Sequence, residues 1–218
     1  FLPCCPGGMD VTIAGTVSNN VHGKDSWRNG NFGGNVIDIK LLTSDGEILT
    51  LSRSRDENIF QAVVGGMGLL GVIVEVTLQL QVIPSAFVEV QTIPTNNIEE
   101  TIYQLEKAKN YSDFSVAWTD TFSTGNKLGR GFVSVGKWVN SKIDLDHHRF
   151  IDSFKNSKRI FNILPSKPAW YMMRPFFKPR YMRFANAAQY FLNSTIRYSN
   201  KHKKKRMLFT DYNFVYEK

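Results

Sequence analysis

Val64-Gly65-Gly66-Met67-Gly68-Leu69-Leu70-Gly71-Val72-Ile73 joins two regular patterns, and the order in which it joins them decides the fold. Upstream, Ser54 with Glu57 three residues on forms a capping box ahead of Ile59, Phe60, Val63 and Val64, which predicts a short helix over about 55–64. Downstream, Val72 to Val82 is dominated by β-branched residues and alternates from Val74, which predicts one long half-buried strand closed by Pro84. The glycines therefore link helix to strand. A dinucleotide fingerprint of the Rossmann type needs the reverse order, a strand followed by a helix, and is excluded.

Working outward, Val36 to Leu42 alternates at period two, Ser44-Asp45-Gly46 supplies a turn and Ile48 to Leu51 returns, the pattern of a β-hairpin. Residues 10–36 are rich in Gly, Asn, Ser and Thr and read as loops wrapped round short strands instead of a helix. Beyond Pro84, Thr95-Asn96-Asn97 can cap a helix with Ile98, Ile102, Leu105 and Ala108 on its apolar side. Strand patterns resume at Phe114–Trp118 and Gly131–Val135. The mixture predicts an α+β chain with a domain boundary near residue 85.

Composition narrows the class. At 218 residues with 42% hydrophobic content the chain has enough apolar material for one core or two small ones. No apolar run reaches the roughly 18 residues of a membrane span. The opening Phe1-Leu2-Pro3 and the alternating Phe214 to Lys218 both read as cut ends, so the chain is expected to be part of a longer one. Cys4 and Cys5 are adjacent, cannot staple distant elements and lack metal-ligand spacing, so no metal site is expected.

Four motifs follow one another: Pro6-Gly7-Gly8 with Val11-Thr12-Ile13-Ala14-Gly15-Thr16 through Asn19-Asn20-Val21-His22-Gly23-Lys24; Phe32-Gly33; Leu41-Leu42-Thr43-Ser44-Asp45-Gly46-Glu47; and Val64 to Ile73. The series resembles the FAD-binding domain of the vanillyl-alcohol-oxidase, or PCMH-type, superfamily, in the branch of aldonolactone oxidases and decaprenylphosphoryl-ribose oxidase. Val116 to Asp120 and Lys127 to Gly131 resemble the opening of that branch's substrate domain, and the likeness spans about residues 3–136. One departure is that the family's Gly-Gly-Ala reads Ala14-Gly15-Thr16 here.

The resemblance implies a division into residues 1–84, the second half of a PCMH-type FAD-binding domain, and 85–218, the start of an α+β substrate domain. It implies noncovalent FAD lined by Gly7, Gly8, Val11, Thr12, Ala14, Gly15, Asn19, Val21, His22, Gly23 and Ile73. His22 would stand beside the flavin as the catalytic candidate, against the plain reading of a hydrogen-bonded loop histidine. Lys24 and Trp118 are candidate substrate contacts, against a solvated cation and a core aromatic. The glycines and Thr12, Ser18 and Asn19 would offer backbone and side-chain groups to phosphate, ribitol or flavin edge. Relatives place a first pyrophosphate loop upstream of this start and a catalytic lysine nearer their C-terminus, outside this chain, so the chain alone is expected to be inactive. The implied reaction is oxidation of a sugar hydroxyl: of a polyprenyl-phosphate ribose, with a short-chain reductase as partner, or of an aldonolactone or alditol. A reading from another class, a catalytically silent fragment or binding module, stays open.

Residues 151–206 hold 14 Lys/Arg against the single acid Asp152, a charge of +13, while the rest of the chain sums to −5. Eleven aromatics from Phe154 to Tyr198 are interleaved with these cations. Three readings fit: a strand-tracking nucleic-acid groove, the least favoured; an anionic membrane surface, consistent with a cytoplasmic or peripheral membrane location; or a solvated insertion in which Lys201 to Arg206 is an exposed turn. Outside this stretch, Lys127 and Arg130 read as surface charges.

Overall fold

The computed structural model describes residues 1–8, 11–140, 159–160, 164–165, 174, 177–198 and 204–213. The expectations for Phe154, Phe161, Trp170, Tyr171 and Phe176, and for Phe214 to Lys218, lie outside the described residues. The chain forms two compact units, Phe1–Ile83 with Asn213, and Pro84–Tyr212.

The first unit is built on an antiparallel sheet of order β2-β1-β3. Strands β1 (Val36–Leu42) and β2 (Ile48–Ser52) form the hairpin read from the sequence, with Asp38 opposite Ser52 and Leu42 opposite Ile48. The burial phase differs from simple alternation. Val36, Ile39 and Leu41 are buried while Ile37 is exposed, because a register shift against β3 between Val36 and Asp38 flips the phase, as a β-bulge does. Strand β3 (Val72–Leu78) stops short of Val82. Beyond it the chain makes single backbone bonds, Gln79 N–H to Asn35 O and Gln81 N–H to Phe1 O, in place of a ladder. Helix α1 (Ile13–Ser18) overturns the expectation of loops and short strands over 10–36. It forms because the Thr12 hydroxyl caps it, accepting from Gly15 N–H, and because Val17 is driven into the core with Phe32, Ile39, Leu51, Phe60 and Val63. Helix α2 (Ser26–Asn29) is a single turn. Helix α3 (Glu57–Val63) starts at Asp56, whose φ is +55°, so Ser54 caps nothing. The Ser54 amide instead meets the Ser52 hydroxyl, and Glu57 accepts from Gln61 along the helix.

The second unit packs helices on both faces of an antiparallel sheet, order β5-β6-β4-β9, from β4 (Phe87–Thr95), β5 (Phe114–Thr119), β6 (Gly131–Trp138) and β9 (Lys205–Leu208); β7 (Arg159–Ile160) and β8 (Leu164–Pro165) pair separately. Alternation along β5 and β6 sends Ala117, Val133 and Val135 to one face, where α4 (Ile98–Ala108) brings Leu105 and Ala108. Asn97 caps α4 by accepting from Glu100 N–H. The helix is rotated from its expected face: Ile98 and Ile102 are exposed, and Thr101 is buried with its hydroxyl 2.7 Å from that of Thr95. The other face carries Phe114, Trp118, Phe132 and Trp138. Against it lie α5 (Pro179–Tyr198), through Tyr190, and α6 (Phe209–Asn213), through Phe209 and Tyr212.

Candidate functional site

Helix α1 ends where the glycine turn passes. The Val17 carbonyl accepts from Gly65 N–H at 3.1 Å and the Ser18 carbonyl from Met67 N–H at 2.8 Å, so the first and last of the four motifs are sewn together through backbone groups. The turn needs its glycines for this path: φ is +85° at Gly65, +74° at Gly68 and +150° at Gly71, values costly for other residues. Ser18, Gly66, Leu69, Gly71 and Ile73 line a shallow cleft beside the junction. Exposed Ile13, Met67, Leu69 and Leu70 belong to the same two segments.

The donors there are spent differently from the sequence expectation. The amides of Gly65, Gly66, Met67 and Leu69 all bond to carbonyls of Val17, Val63, Ser18 and Gly66, so this part of the turn is not an anion-binding nest. Thr12 and Asn19 are likewise engaged in the helix, Thr12 as cap and Asn19 by donating Nδ2–H to Gly15 O. Beside these bonded amides the exposed Ile13, Met67, Leu69 and Leu70 leave an apolar surface.

The His22-Gly23-Lys24 loop leaves α1 and runs back over the N-terminal segment. Val21 N–H bonds to Thr16 O and Phe32 N–H to Val21 O, which fixes the entry of the loop. Gly23 donates to the Ser26 hydroxyl, and a Cβ there would lie 2.7 Å from the Cys5 carbonyl, so the close approach of these segments demands glycine. His22 is exposed. Lys24 is half-buried and donates to the Asn213 carbonyl at 3.0 Å, while Asn213 donates to Pro6 O at 2.9 Å, next to Gly7 and Gly8. Burial lowers the Lys24 ammonium from 10.5 to about 8. The folded state thus releases this proton before the unfolded chain does. Stability relative to Lys24→Met is expected to rise with pH between about 8 and 10.5 and to be flat below that window, as urea titrations across the range would read.

Cys4 and Cys5 are free. Burial pushes the Cys5 thiol up to about 12, aided by the charges of Asp25 and Cys4, and burial also raises Cys4 against the lowering bond to Ser26. Both remain thiols at neutral pH and are poor nucleophiles. Among the described residues no group of three His, Cys, Asp or Glu side chains is placed to hold a metal.

Three residues that organise this region were not singled out from the sequence. Asn20, with φ +42°, turns the chain at the end of α1 and accepts from Gly33 N–H through Oδ1 at 3.0 Å. Arg53 donates to the Gly33 carbonyl at 2.9 Å, so Gly33 is held on both sides. Asp25 is buried and its Oδ2 accepts from Cys4 N–H and Asn29 Nδ2–H, anchoring the loop after Lys24. An Asn-Asn pair at a helix end and an acid following His-Gly-Lys were the available sequence cues.

In the second unit, Trp118 stands on β5, half-buried, stacked on Phe132 with ring centres 5.6 Å apart; Phe132 stacks in turn on Tyr190 at 5.6 Å. Lys127 is exposed, but Arg130 is no surface charge: its side chain is 15% exposed and paired at 3.1 Å with Asp120, which is 1% exposed.

The first unit thus joins a helix-turn-strand glycine loop to the helix that leads into the His-Gly-Lys loop, over an antiparallel sheet. The chain matches no protein-family model. It is 30% identical over 187 residues to the decaprenylphosphoryl-beta-D-ribose oxidase of Mycolicibacterium smegmatis, covering 78% of this chain and 41% of that protein. It is 31% identical over 133 residues, 61% of this chain and 36% of the relative, to an uncharacterized protein in the mprA 5' region of Streptomyces coelicolor. Over 76 residues, 35% of this chain, it is 36% identical to cytokinin dehydrogenase 7 of Oryza sativa subsp. japonica, 14% of which is covered. Its homologues thus include PCMH-type FAD-binding oxidoreductases. It spans well under half the length of these relatives.

Proposed function

We propose that the chain is part of an FAD-dependent oxidoreductase that oxidises a sugar CH–OH group, with a polyprenyl-phosphate ribose as substrate and an aldonolactone or alditol as the alternative. The observation that carries this reading is the backbone junction of α1 with the glycine turn, Val17 and Ser18 carbonyls to Gly65 and Met67 amides. It brings together the first and last of the four motifs on which the family likeness rests. The similarity to a decaprenylphosphoryl-ribose oxidase over 78% of the chain supports the choice of sugar.

In this reading Ile73 and the neighbouring turn hold one face of the cofactor, with Val11, Thr12, Ala14, Gly15, Asn19 and Val21 along α1 and its exit. Bound FAD supplies the two-electron acceptor for the substrate carbon's hydride. Gly7, Gly8 and Gly23 keep the backbone close, and exposed His22 orients the substrate hydroxyl. Lys24, with its ammonium half-desolvated, is suited to a sugar hydroxyl or phosphate, and Trp118 to the face of a sugar ring. The unreactive thiols of Cys4 and Cys5 favour noncovalent attachment. Proton abstraction falls to a base outside the chain, and a short-chain reductase is the fitting partner for an oxidised ribose.

The test is anaerobic reduction of FAD bound to the full-length gene product. Bleaching of the flavin band by a polyprenyl-phosphate ribose is expected, and His22→Ala is expected to slow it about 10²-fold with flavin content unchanged. A flavin left oxidised by every sugar, lactone and alditol, or a protein that takes up no FAD, overturns the proposal.

A further inference from the structure

Helix α5 has two unlike faces. Toward the sheet, Asn186 donates to Asp120 Oδ1 at 3.0 Å, the Tyr190 ring stacks on Phe132, and the Tyr190 hydroxyl donates to Asn96 Oδ1 at 3.2 Å. At roughly 100° per residue, Phe184 and Phe191, seven positions apart, fall on one line well away from Asn186 and Tyr190, with Leu192 beside it. These three side chains are 77%, 67% and 57% exposed. The helix Pro179–Tyr198 contains no Asp or Glu, and Lys178, Arg180 and Arg183 at its start are exposed. It lies within the stretch 151–206, where 14 cations face one acid.

A solvent-facing apolar ridge flanked by cations and lacking acids matches the two requirements of an interfacial helix, apolar surface that gains by leaving water and charge that attracts anionic headgroups. A nucleic-acid groove would use aromatic rings for stacking and has no use for an exposed leucine beside them. No helix among the described residues is long and apolar enough to cross a membrane, so the ridge would lie on the surface. We propose that the Phe184–Phe191–Leu192 face of α5, flanked by Arg180 and Arg183, docks on an anionic phospholipid bilayer. The proposal does not depend on the substrate assigned above.

The experiment is co-sedimentation of the 218-residue chain with vesicles of phosphatidylcholine alone and of phosphatidylcholine mixed with phosphatidylglycerol. Binding is expected only to the mixed vesicles, weakening as salt is raised. Phe184→Ser with Phe191→Ser is expected to lower the partition coefficient about 100-fold with an unchanged circular dichroism spectrum, since each ring contributes about tenfold. Arg180→Gln with Arg183→Gln should weaken binding to the mixed vesicles while leaving the apolar ridge in place. The proposal is overturned if the chain stays in the supernatant, or if the phenylalanine pair can be removed without effect. It is equally overturned if those substitutions abolish self-association in the ultracentrifuge, or oligonucleotide binding, in place of vesicle binding.

Discussion

Gly33→Ala is expected to destabilise the first unit by roughly 3 kcal/mol, the upper range for forcing a carbon into a filled core. The new Cβ would run into Val64 Cγ1 and stand 2.9 Å from Asn20 Oδ1. Val64 closes α3 and leads directly into the glycine turn, and Asn20 follows the α1 cap Asn19 with its N–H bonded to Val17 O, so a Cβ at Gly33 presses on both segments. The substitution would therefore push apart the two segments that the Val17 and Ser18 carbonyls join. Gly34 is the control: a Cβ there meets nothing within 4 Å, and Gly34→Ala is expected to be near neutral. Urea denaturation of both variants decides the matter, and equal midpoints would show that the Gly33 contact is not what organises the junction.

The comparison of these two glycines also shows how far the sequence could be read. Turn chemistry and β-branched alternation are local properties, and the hairpin from Val36 to Ser52, the Asn97 cap of α4 and strands β5 and β6 appear where those properties place them. Phase is not local. Whether Ile37 or Ile39 faces inward is decided by the bulge opposite β3, and whether Ile102 or Thr101 faces the sheet by the Thr95 hydroxyl waiting there. Each partner lies on a different element from the residue whose phase it sets. Helix α1 is concealed in the sequence because Gly15, Thr16 and Ser18 make up half of its six residues, yet one capping hydroxyl and one buried valine suffice to form it once a sheet is available to pack against. The amides of Gly65, Gly66, Met67 and Leu69 in the glycine run serve the fold, with those of Gly65 and Met67 holding the end of α1. Arg130 was mistaken for a surface cation because its partner, Asp120, lies ten residues away across a strand connection.

Removing that partner is expected to have the largest effect in the second unit. Asp120 is 1% exposed and accepts from Arg130 Nε and Nη2 at 3.2 and 3.1 Å, from Phe122 N–H, from Ser123 and from Asn186 on α5. Asp120→Ala would strand a mostly buried guanidinium and release α5 from β5, at a cost of about 3–5 kcal/mol. Arg130→Met in the same background should recover part of the loss, because it withdraws the unpaired charge and leaves an apolar stem beneath the Tyr190 ring, over which the guanidinium now sits at 4.9 Å. The sign with pH follows from the same contacts. Burial alone would raise the Asp120 carboxyl, but the bonds from Ser123, Asn186, Phe122 N–H and Arg130 outweigh it and hold the group below its ordinary value. Its contribution is therefore fully present above the unfolded value of about 3.9 and is lost as pH falls through the lower folded one. The stability difference between the natural chain and Asp120→Asn should be constant from about pH 7 to 5 and shrink below about pH 4. A difference that instead grew on acidification would mean that burial, not the hydrogen bonds, governs this carboxylate.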